Sequence, residues 1–186
     1  MSIVLKLEEL EGELKRIGAP VLDYFLNGLD RDDIISLFRE SSIEPTDELI
    51  ELYQWRNGLG FKDIPVGRLI FGIEGVFYPL QESLKIFNEF GEADWIKYFP
   101  VFSDDAFLIQ LNKEAKDYGR ICIHSPALII NEPQSYFDSL STMIETCIIC
   151  FRNGFFSYDT NGFFEQDYDK SLEVARNLNP NSDYWY

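Results

Sequence analysis

The chain contains one histidine, His124, which follows Cys122 by two residues in an apolar stretch. On a strand, side chains two residues apart face the same side about 6.6 Å from each other, so a thiol and an imidazole could serve there as nucleophile and base. A cysteine enzyme also needs a group that orients the histidine and an exposed thiol of lowered pKa. The sequence shows neither. It favours a core cysteine beside an ordinary histidine, and we predict that the protein is not an enzyme.

A second pair of thiols, Cys147 and Cys150, has the C-x-x-C spacing of redox sites and of half a zinc site. The pair lies within an apolar stretch of helical periodicity and not at a helix N-terminus. Cys122 and His124 are the only remaining cysteine and histidine. This context favours packing in the core, so we expect neither a metal nor another cofactor.

Residues 157–162, SYDTNG, resemble half of a calcium-binding loop. The first position is Ser157 instead of an acid, and the twelfth is Tyr168 instead of a bidentate glutamate. Asn161-Gly162 separates two aromatic runs by two residues, which is typical of a type I′ β-hairpin. The hairpin accounts for this dipeptide without calcium.

The bulk composition bounds the fold and the partners. The 186 residues are 46% hydrophobic and 16% aromatic, enough to bury one sizeable core in a single domain without a disulfide or metal framework. Thirty-two acidic residues against 16 basic ones give a formal net charge of −16. Direct binding to nucleic acid or to an anionic membrane would act against this charge. A basic protein partner is favoured instead.

The acidic residues concentrate in the first third of the chain. Residues 21–54 contain nine acids against two arginines, a net charge of −7. Six of the acids, with Trp55 as an aromatic anchor, are our candidate partner-binding residues: Asp30, Asp32, Asp33, Asp47, Glu48 and Glu51. Two alternatives stay open, since the acids can equally form a solvated helical surface and Trp55 can belong to the core.

The chain shows no sign of export. Its first 15 residues carry four glutamates where a secretory signal would carry a cationic segment and then an uninterrupted apolar run. No apolar run approaches the roughly 20 residues that a helix needs to cross a bilayer. Three cysteines, an odd number, suit reduced thiols. We therefore expect a cytoplasmic protein that does not bind membranes.

Apolar periodicity predicts helices at both ends of the chain. A first helix has one apolar face, formed by Leu7, Leu10, Leu14 and Ile17. Asp30 can cap a second helix, and Pro45-Thr46 opens a third, which is predicted to end at Asn57-Gly58 because these residue types tolerate positive φ. Residues 81–91 also have helical spacing, and a last helix precedes Asn179-Pro180. Residues 139–154 predict a helix that is closed by Asn153-Gly154 and whose inward residues are Leu140, Met143, Ile144, Cys147, Ile148 and Phe151.

Five short β-like runs lie between these helices: residues 67–72, 75–80, 98–103, 106–112 and 120–125. The order of elements predicts an α+β fold in a single domain, with a mainly antiparallel sheet flanked by N-terminal and C-terminal helices. The N-terminal helices are expected over about 3–58, the sheet over about 66–126, and a late helix, a hairpin and the last helix over about 135–186.

In this order of elements the chain resembles the SUKH superfamily, which includes the Smi/Knr-like proteins. The resemblance covers most of the chain. Its matching residues are the helix end Tyr53, Asn57 and Gly58, the strand start Phe99 and Pro100, the acidic lead-in Asp104-Asp105, the helix start Ser139-Leu140, and Asn179, Pro180, Tyr184 and Trp185 near the end.

The resemblance implies an α+β fold without a known catalytic centre. It also implies a class of function, because many bacterial members are immunity proteins that bind and neutralise a toxin, often a nuclease or a deaminase. We therefore expect an immunity protein that covers the active site of a basic cognate toxin. Since the eukaryotic relatives resemble regulatory scaffolds, the alternative is a regulatory or adaptor scaffold without a toxin partner.

Overall fold

The computed structural model describes residues 3–60, 62–72, 75–89, 98–103, 107–125 and 130–185. Within these ranges the chain has the expected α+β fold, in which helices flank antiparallel sheets. Their buried apolar side chains form one hydrophobic core. Asp104, Asp105 and Tyr186 lie outside the described residues.

Three helices form the N-terminal part: α1 (Ile3–Arg16), α2 (Arg31–Glu40) and α3 (Asp47–Trp55). A 3₁₀ helix (Pro20–Tyr24) follows α1. The predicted apolar face of α1 is confirmed for its three fully buried leucines, Leu7, Leu10 and Leu14. Thr46 caps α3 by accepting a hydrogen bond from the amide of Leu49 at 3.2 Å. Asp30 occupies the N-cap position of α2, but its carboxylate makes no capping hydrogen bond.

Two short strands that the sequence pattern does not predict pair antiparallel: β1 (Phe25–Asn27), which precedes α2, and β2 (Arg56–Leu59), which follows α3. The predicted end of α3 is confirmed to within two residues, and Gly58 has the expected positive φ, but Asn57-Gly58 lies in β2 and does not cap the helix. A Cβ on Gly58, whose φ is +76°, would lie 2.3 Å from the backbone nitrogen of Pro79. The side-chain oxygen of Asn57 accepts a hydrogen bond from the amide of Leu80 at 2.9 Å. The dipeptide thus holds β2 against the start of the next helix.

That helix is α4 (Leu80–Glu89), as the sequence predicts. The main sheet follows it in the chain, with strands β3 (Tyr98–Phe102), β4 (Phe107–Gln110), β5 (Ile121–Ser125) and β6 (Ile130–Phe137). The strands lie in the order β3-β4-β5-β6, and every neighbouring pair is antiparallel. β3, β4 and β5 confirm three predicted strands. The sequence pattern does not predict β6, because Pro133 and polar neighbours break its apolar alternation, although an edge strand tolerates proline.

The two other predicted strands are wrong. Residues 67–72 continue a 3₁₀ helix (Val66–Arg68) into turns, and residues 75–80 contribute one β-bridge, between Phe77 and Phe102. Both segments are nevertheless part of the core, since Phe71 and Phe77 are fully buried. A short apolar run has the same pattern in a strand and in an irregular core segment, so periodicity alone does not separate the two.

The late helix, α5 (Leu140–Arg152), packs against α1. Ser139 and Thr142 form a capping box at its start. Its predicted inward residues are all buried: Leu140, Met143, Ile144, Cys147, Ile148 and Phe151. The helix ends at Asn153-Gly154 as predicted, and the amide of Phe155 closes it by donating to the carbonyl of Cys150 at 2.9 Å.

The predicted hairpin consists of β7 (Phe156–Tyr158) and β8 (Phe164–Gln166), but its loop has five residues instead of two. The carbonyl of Asp159 accepts from the amide of Gly162 at 3.0 Å, and φ is positive at Gly162 but not at Asn161. This is a wider turn than type I′. The Asp159 carboxylate favours it by accepting from the amides of Asn161 at 2.8 Å and Phe163 at 2.7 Å.

After α6 (Tyr168–Leu178), the C-terminal segment 179–185 docks on β6. The carbonyl of Ser135 accepts from the Ser182 hydroxyl at 2.7 Å and from two backbone amides of the segment. The indole of Trp185 donates to the carbonyl of Tyr136 at 2.7 Å. The last described residues thereby cover part of the edge of the main sheet.

Most residues that carry the family resemblance have structural roles. Tyr53 and Phe99 are fully buried, and the hydroxyl of Tyr53 lies 3.0 Å from that of Ser83. The side chain of Asn179, also fully buried, accepts from the amide of Asp138 at 2.9 Å and donates to the carbonyl of Ala175 at 2.8 Å. The remaining ones range from buried to exposed: Pro100 and Trp185 are buried, Tyr184 is half-buried and Pro180 is exposed.

Candidate partner-binding surface and aromatic cavity

Four of the acids predicted to bind a partner lie at the N-terminal ends of α2 and α3. Asp30, Asp32 and Asp33 belong to the start of α2, Asp47 is the first residue of α3, and all four are exposed. The guanidinium of Arg31 lies 3.3 Å from the carboxylate of Asp47, so the two helix ends are within side-chain reach of each other. We call these four acids the acidic surface.

The acidic surface also suits the helices that carry it. The first turn of a helix presents partial positive charge, and an acid there stabilises it by about 0.3–1 kcal/mol. Asp32 and Asp33 lie in the first turn of α2, as Asp47 does in α3. Helix stability therefore accounts for part of this acidity, whatever else the surface binds.

Glu48 faces α5 and not the acidic surface. Its carboxylate accepts a hydrogen bond from the amide of Ser141, in the first turn of α5, at 3.4 Å. Burial raises the pKa of Glu48, while the first amides of α5 and the charge of Lys6 oppose that rise. Glu48 thus fastens α3 to α5, and we assign no partner contact to it.

Trp55 and Glu51, the other two candidates, are half-buried. The indole Nε1 of Trp55 donates to a carboxylate oxygen of Glu11 at 2.9 Å, and Arg56 donates to the same oxygen at 2.8 Å. The ring of Phe25 meets the indole edge-on, with 5.0 Å between centroids. Trp55 is therefore held in one orientation while part of it stays open to solvent.

Glu11 is a charged acceptor for this arrangement. Burial alone would raise its pKa, but hydrogen bonds from Lys15 and Trp55 and the charge of Arg56 lower the pKa below its ordinary value. The carboxylate is therefore ionised at neutral pH. It offers Trp55 and Arg56 a permanent partner.

The cysteine beside the histidine is not poised for catalysis. Cys122 is buried, and its thiol lies 3.6 Å from the carboxylate of Asp117, to which the Tyr98 hydroxyl also donates at 3.0 Å. Burial and the neighbouring carboxylate raise the pKa of Cys122 far above its usual range. The thiol is a neutral hydrogen-bond donor to Asp117. His124 is half-buried two residues further along β5.

Cys147 and Cys150 are buried in α5, and burial raises the pKa of both thiols, that of Cys150 to about 12.

Asp159 belongs to the segment that resembles half of a calcium loop. Its carboxylate accepts hydrogen bonds from backbone amides of its own turn, and these lower its pKa. Across the described ranges, no group of three or more His, Cys, Asp and Glu residues is arranged to hold a metal ion. The described helices include none long and apolar enough to cross a membrane.

A cavity of about 380 Å³ opens between α6, the hairpin and strands β4 to β6. We call it the aromatic cavity. Buried apolar side chains form its floor: Phe107, Ile123 and Phe137. Tyr136 and Trp185 line one wall with 4.2 Å between ring centroids. Arg176 lies at the exposed rim, where its Nε donates to the carbonyl of Trp185 at 2.8 Å.

The aromatic cavity is not predictable from local sequence patterns, because its lining comes from positions 72 to 185. No local spacing relates Phe107 to Trp185; only the fold brings them together. The one usable signal is the aromatic cluster after the last helix, from which docking of the chain end can be inferred.

No protein-family model matches the chain, and no curated protein matches it. The resemblance to the SUKH superfamily therefore stays a prediction that rests on the residues given above.

Proposed function

We propose that the protein is a non-catalytic immunity protein, which binds a basic cognate toxin through the acidic surface and covers the toxin's active site. The proposal rests mainly on the exposure of Asp30, Asp32, Asp33 and Asp47 at two adjoining helix ends in a chain of net charge −16. A nuclease, or a deaminase that acts on nucleic acid, must be basic where it holds its polyanionic substrate. The acidic surface is attracted by the same positive charges.

Trp55 is the proposed anchor of this interface. Aromatic and arginine side chains carry much of the affinity of protein interfaces when they are held rigidly and desolvated on binding. Trp55 and Arg56 are both half-buried and both hydrogen-bonded to Glu11. In this proposal charge sets the association rate, and burial of Trp55 slows dissociation.

The surroundings of the thiols support a role without catalysis. Cys122, the best candidate nucleophile, is buried with a raised pKa, and Cys147 and Cys150 are buried in α5. All three cysteines are free, which suits the cytoplasm, where an immunity protein would meet a toxin made in the same cell.

The test is co-expression in bacterial cells of this protein with the product of each adjacent gene. We expect one of these products to stop growth and this protein to restore it. If none is toxic, or if toxicity persists in the presence of this protein, the immunity function is wrong and the scaffold alternative is favoured.

With that toxin purified, charge can be separated from fold. One variant replaces the acidic surface (D30N, D32N, D33N and D47N), and a matched control removes four exposed acids from other elements (E132Q, E165Q, D169N and E173Q). We expect the wild type to associate at rates toward about 10⁸ M⁻¹s⁻¹ at low salt, with a steep decline as salt rises. The first variant should associate at least about tenfold more slowly and the control much less so. If both variants lower the association rate equally, the acidic surface is not part of the interface.

A further inference from the structure

We propose that the aromatic cavity binds a small planar aromatic anion, of the arylcarboxylate class. This inference does not depend on the toxin proposal, because the cavity involves α5, α6, the hairpin, the main sheet and the C-terminal segment and none of the acidic surface.

The size and floor of the cavity suit a flat apolar ring. Sites for small molecules usually have volumes of roughly 300–1,000 Å³ and combine apolar walls with a few polar groups. This cavity has a volume of about 380 Å³, which limits the ligand to one or two fused rings. The ring of Phe107 meets that of Tyr136 edge-on, with 5.1 Å between centroids, so part of the lining is a continuous aromatic surface. Aromatic ligands pack favourably on such a surface in offset or edge-on geometry.

The charge of the lining favours an anion. The chain has twice as many acidic as basic residues, yet among the described residues that line the cavity none is Asp or Glu, and Arg176 is the one cation. Asp169 and Glu173 lie on the same helix but not in the lining. Glu173 precedes Arg176 by three residues on α6, but no ion pair joins the two side chains, so the guanidinium of Arg176 remains available at the rim.

The guanidinium of Arg176 is oriented and only partly used. Its Nε donates to the carbonyl of Trp185, which ties the side chain to the C-terminal segment. Within the described part of the chain, its two terminal nitrogens have no hydrogen-bond partner. A carboxylate at the rim can accept from these nitrogens, while the aromatic ring of the same ligand occupies the floor. Nearby, Gln166 donates to the hydroxyl of Ser171 at 2.7 Å, so this part of the rim is already satisfied.

A bound ligand would also stabilise the docked C-terminal segment. Tyr184 and Trp185 line the cavity, and any ligand that contacts them there binds the folded state and not the unfolded one. The fluorescence of Trp185 should therefore report occupancy directly.

The experiment compares 2-naphthoate with its neutral counterpart 2-naphthamide, by calorimetry and tryptophan fluorescence on the full chain. We expect one site per chain and affinity for 2-naphthoate at least about tenfold higher than for the amide, because hydrogen bonds to a charged group are the stronger ones. R176Q should remove most of this difference. R39Q, which deletes an exposed arginine of α2, should keep it.

The W185F substitution, made in both the wild-type and the R176Q protein, identifies the site. The fluorescence response to 2-naphthoate should disappear when Trp185 is replaced, while calorimetry should still detect binding. The proposal is overturned if neither probe binds at millimolar concentration, if both bind equally, or if R176Q and R39Q behave alike.

Discussion

The indole Nε1 of Trp55 lies 2.9 Å from a carboxylate oxygen of Glu11, and the guanidinium of Arg56 lies 2.8 Å from that same oxygen. One carboxylate of α1 therefore orients two side chains where α3 passes into β2. The presentation of the proposed anchor thus depends on a residue 44 positions earlier in the chain.

Replacing Glu11 should loosen this junction. We expect E11A to lower the free energy of unfolding by about 1–3 kcal/mol, because it leaves a half-buried indole N–H and a guanidinium without their partner. Urea denaturation measures the change. E8A, which removes an exposed acid of the same helix, is the control and should alter stability by less than about 0.5 kcal/mol. Equal effects of E8A and E11A would show that the shared oxygen contributes little.

The same residue predicts part of the acid sensitivity. The pKa of Glu11 is lower in the folded protein than its ordinary value, so its stabilising contribution is present above the unfolded-state pKa, about 4.3, and is lost as pH falls through the lower folded pKa. E11Q should therefore lose less stability than the wild type between about pH 5 and about pH 3. The midpoints of urea denaturation at these two pH values measure the difference. A steeper loss in E11Q would contradict the assignment.

Trp185 should be important for stability despite its place near the end of the sequence. W185A removes a buried ring and the hydrogen bond of its indole to the carbonyl of Tyr136, so we expect a loss of about 3–5 kcal/mol. Thermal unfolding should show a clearly lower midpoint. Y118A, which truncates an exposed aromatic residue, is the control. A melting temperature of W185A equal to that of Y118A would mean that the segment does not dock in solution.

Two glycines should respond oppositely to alanine. G58A places a methyl group 2.3 Å from the backbone of Pro79 at a residue with φ of +76°, and we expect a loss of at least about 2 kcal/mol. G12A adds its methyl group to the interior of α1, where nothing lies within 4 Å, and should stabilise by about 0.5–1 kcal/mol. Chemical denaturation of both variants makes the comparison, and a tolerated G58A would refute the close approach of β2 to the segment before α4.

The thiols should be unreactive in the native protein. All three cysteines are buried and burial raises the pKa of each, so a thiol reagent at pH 8 should modify them only slowly until the protein is denatured, when three groups should react. Mass spectrometry with time gives the order of modification. Rapid modification of native Cys122 would restore the case for a cysteine enzyme.

The elements that the sequence predicts well are those whose signal is local. α5 combines a capping residue, Ser139, with an apolar face and a closing Asn153-Gly154, and all three features agree with the structure. Asn57-Gly58 has the same residue types, yet it is used in a strand because the segment at Pro79 approaches its backbone. Tertiary contacts decide such positions, and local pattern does not contain them.

Of the candidate sites, too, only those with a local signal could be predicted from the sequence. Exposure of Asp32 and Asp33 follows from their places on an amphipathic helix, so the acidic surface could be outlined from sequence. Glu48 could not be separated from it, because its orientation depends on α5, which begins about 90 positions later. The aromatic cavity could not be predicted either, because residues far apart in the sequence line it.

The contact between Ser182 and Ser135 has a consequence for synthesis on the ribosome. These residues are 47 positions apart, so at roughly 5–20 residues per second β6 is made several seconds before the segment that covers its edge. During that interval an open strand edge can pair with other nascent chains. β6 contains Pro133 and Glu132, residue types that discourage such pairing, and they would protect the growing chain until residues 179–185 are made.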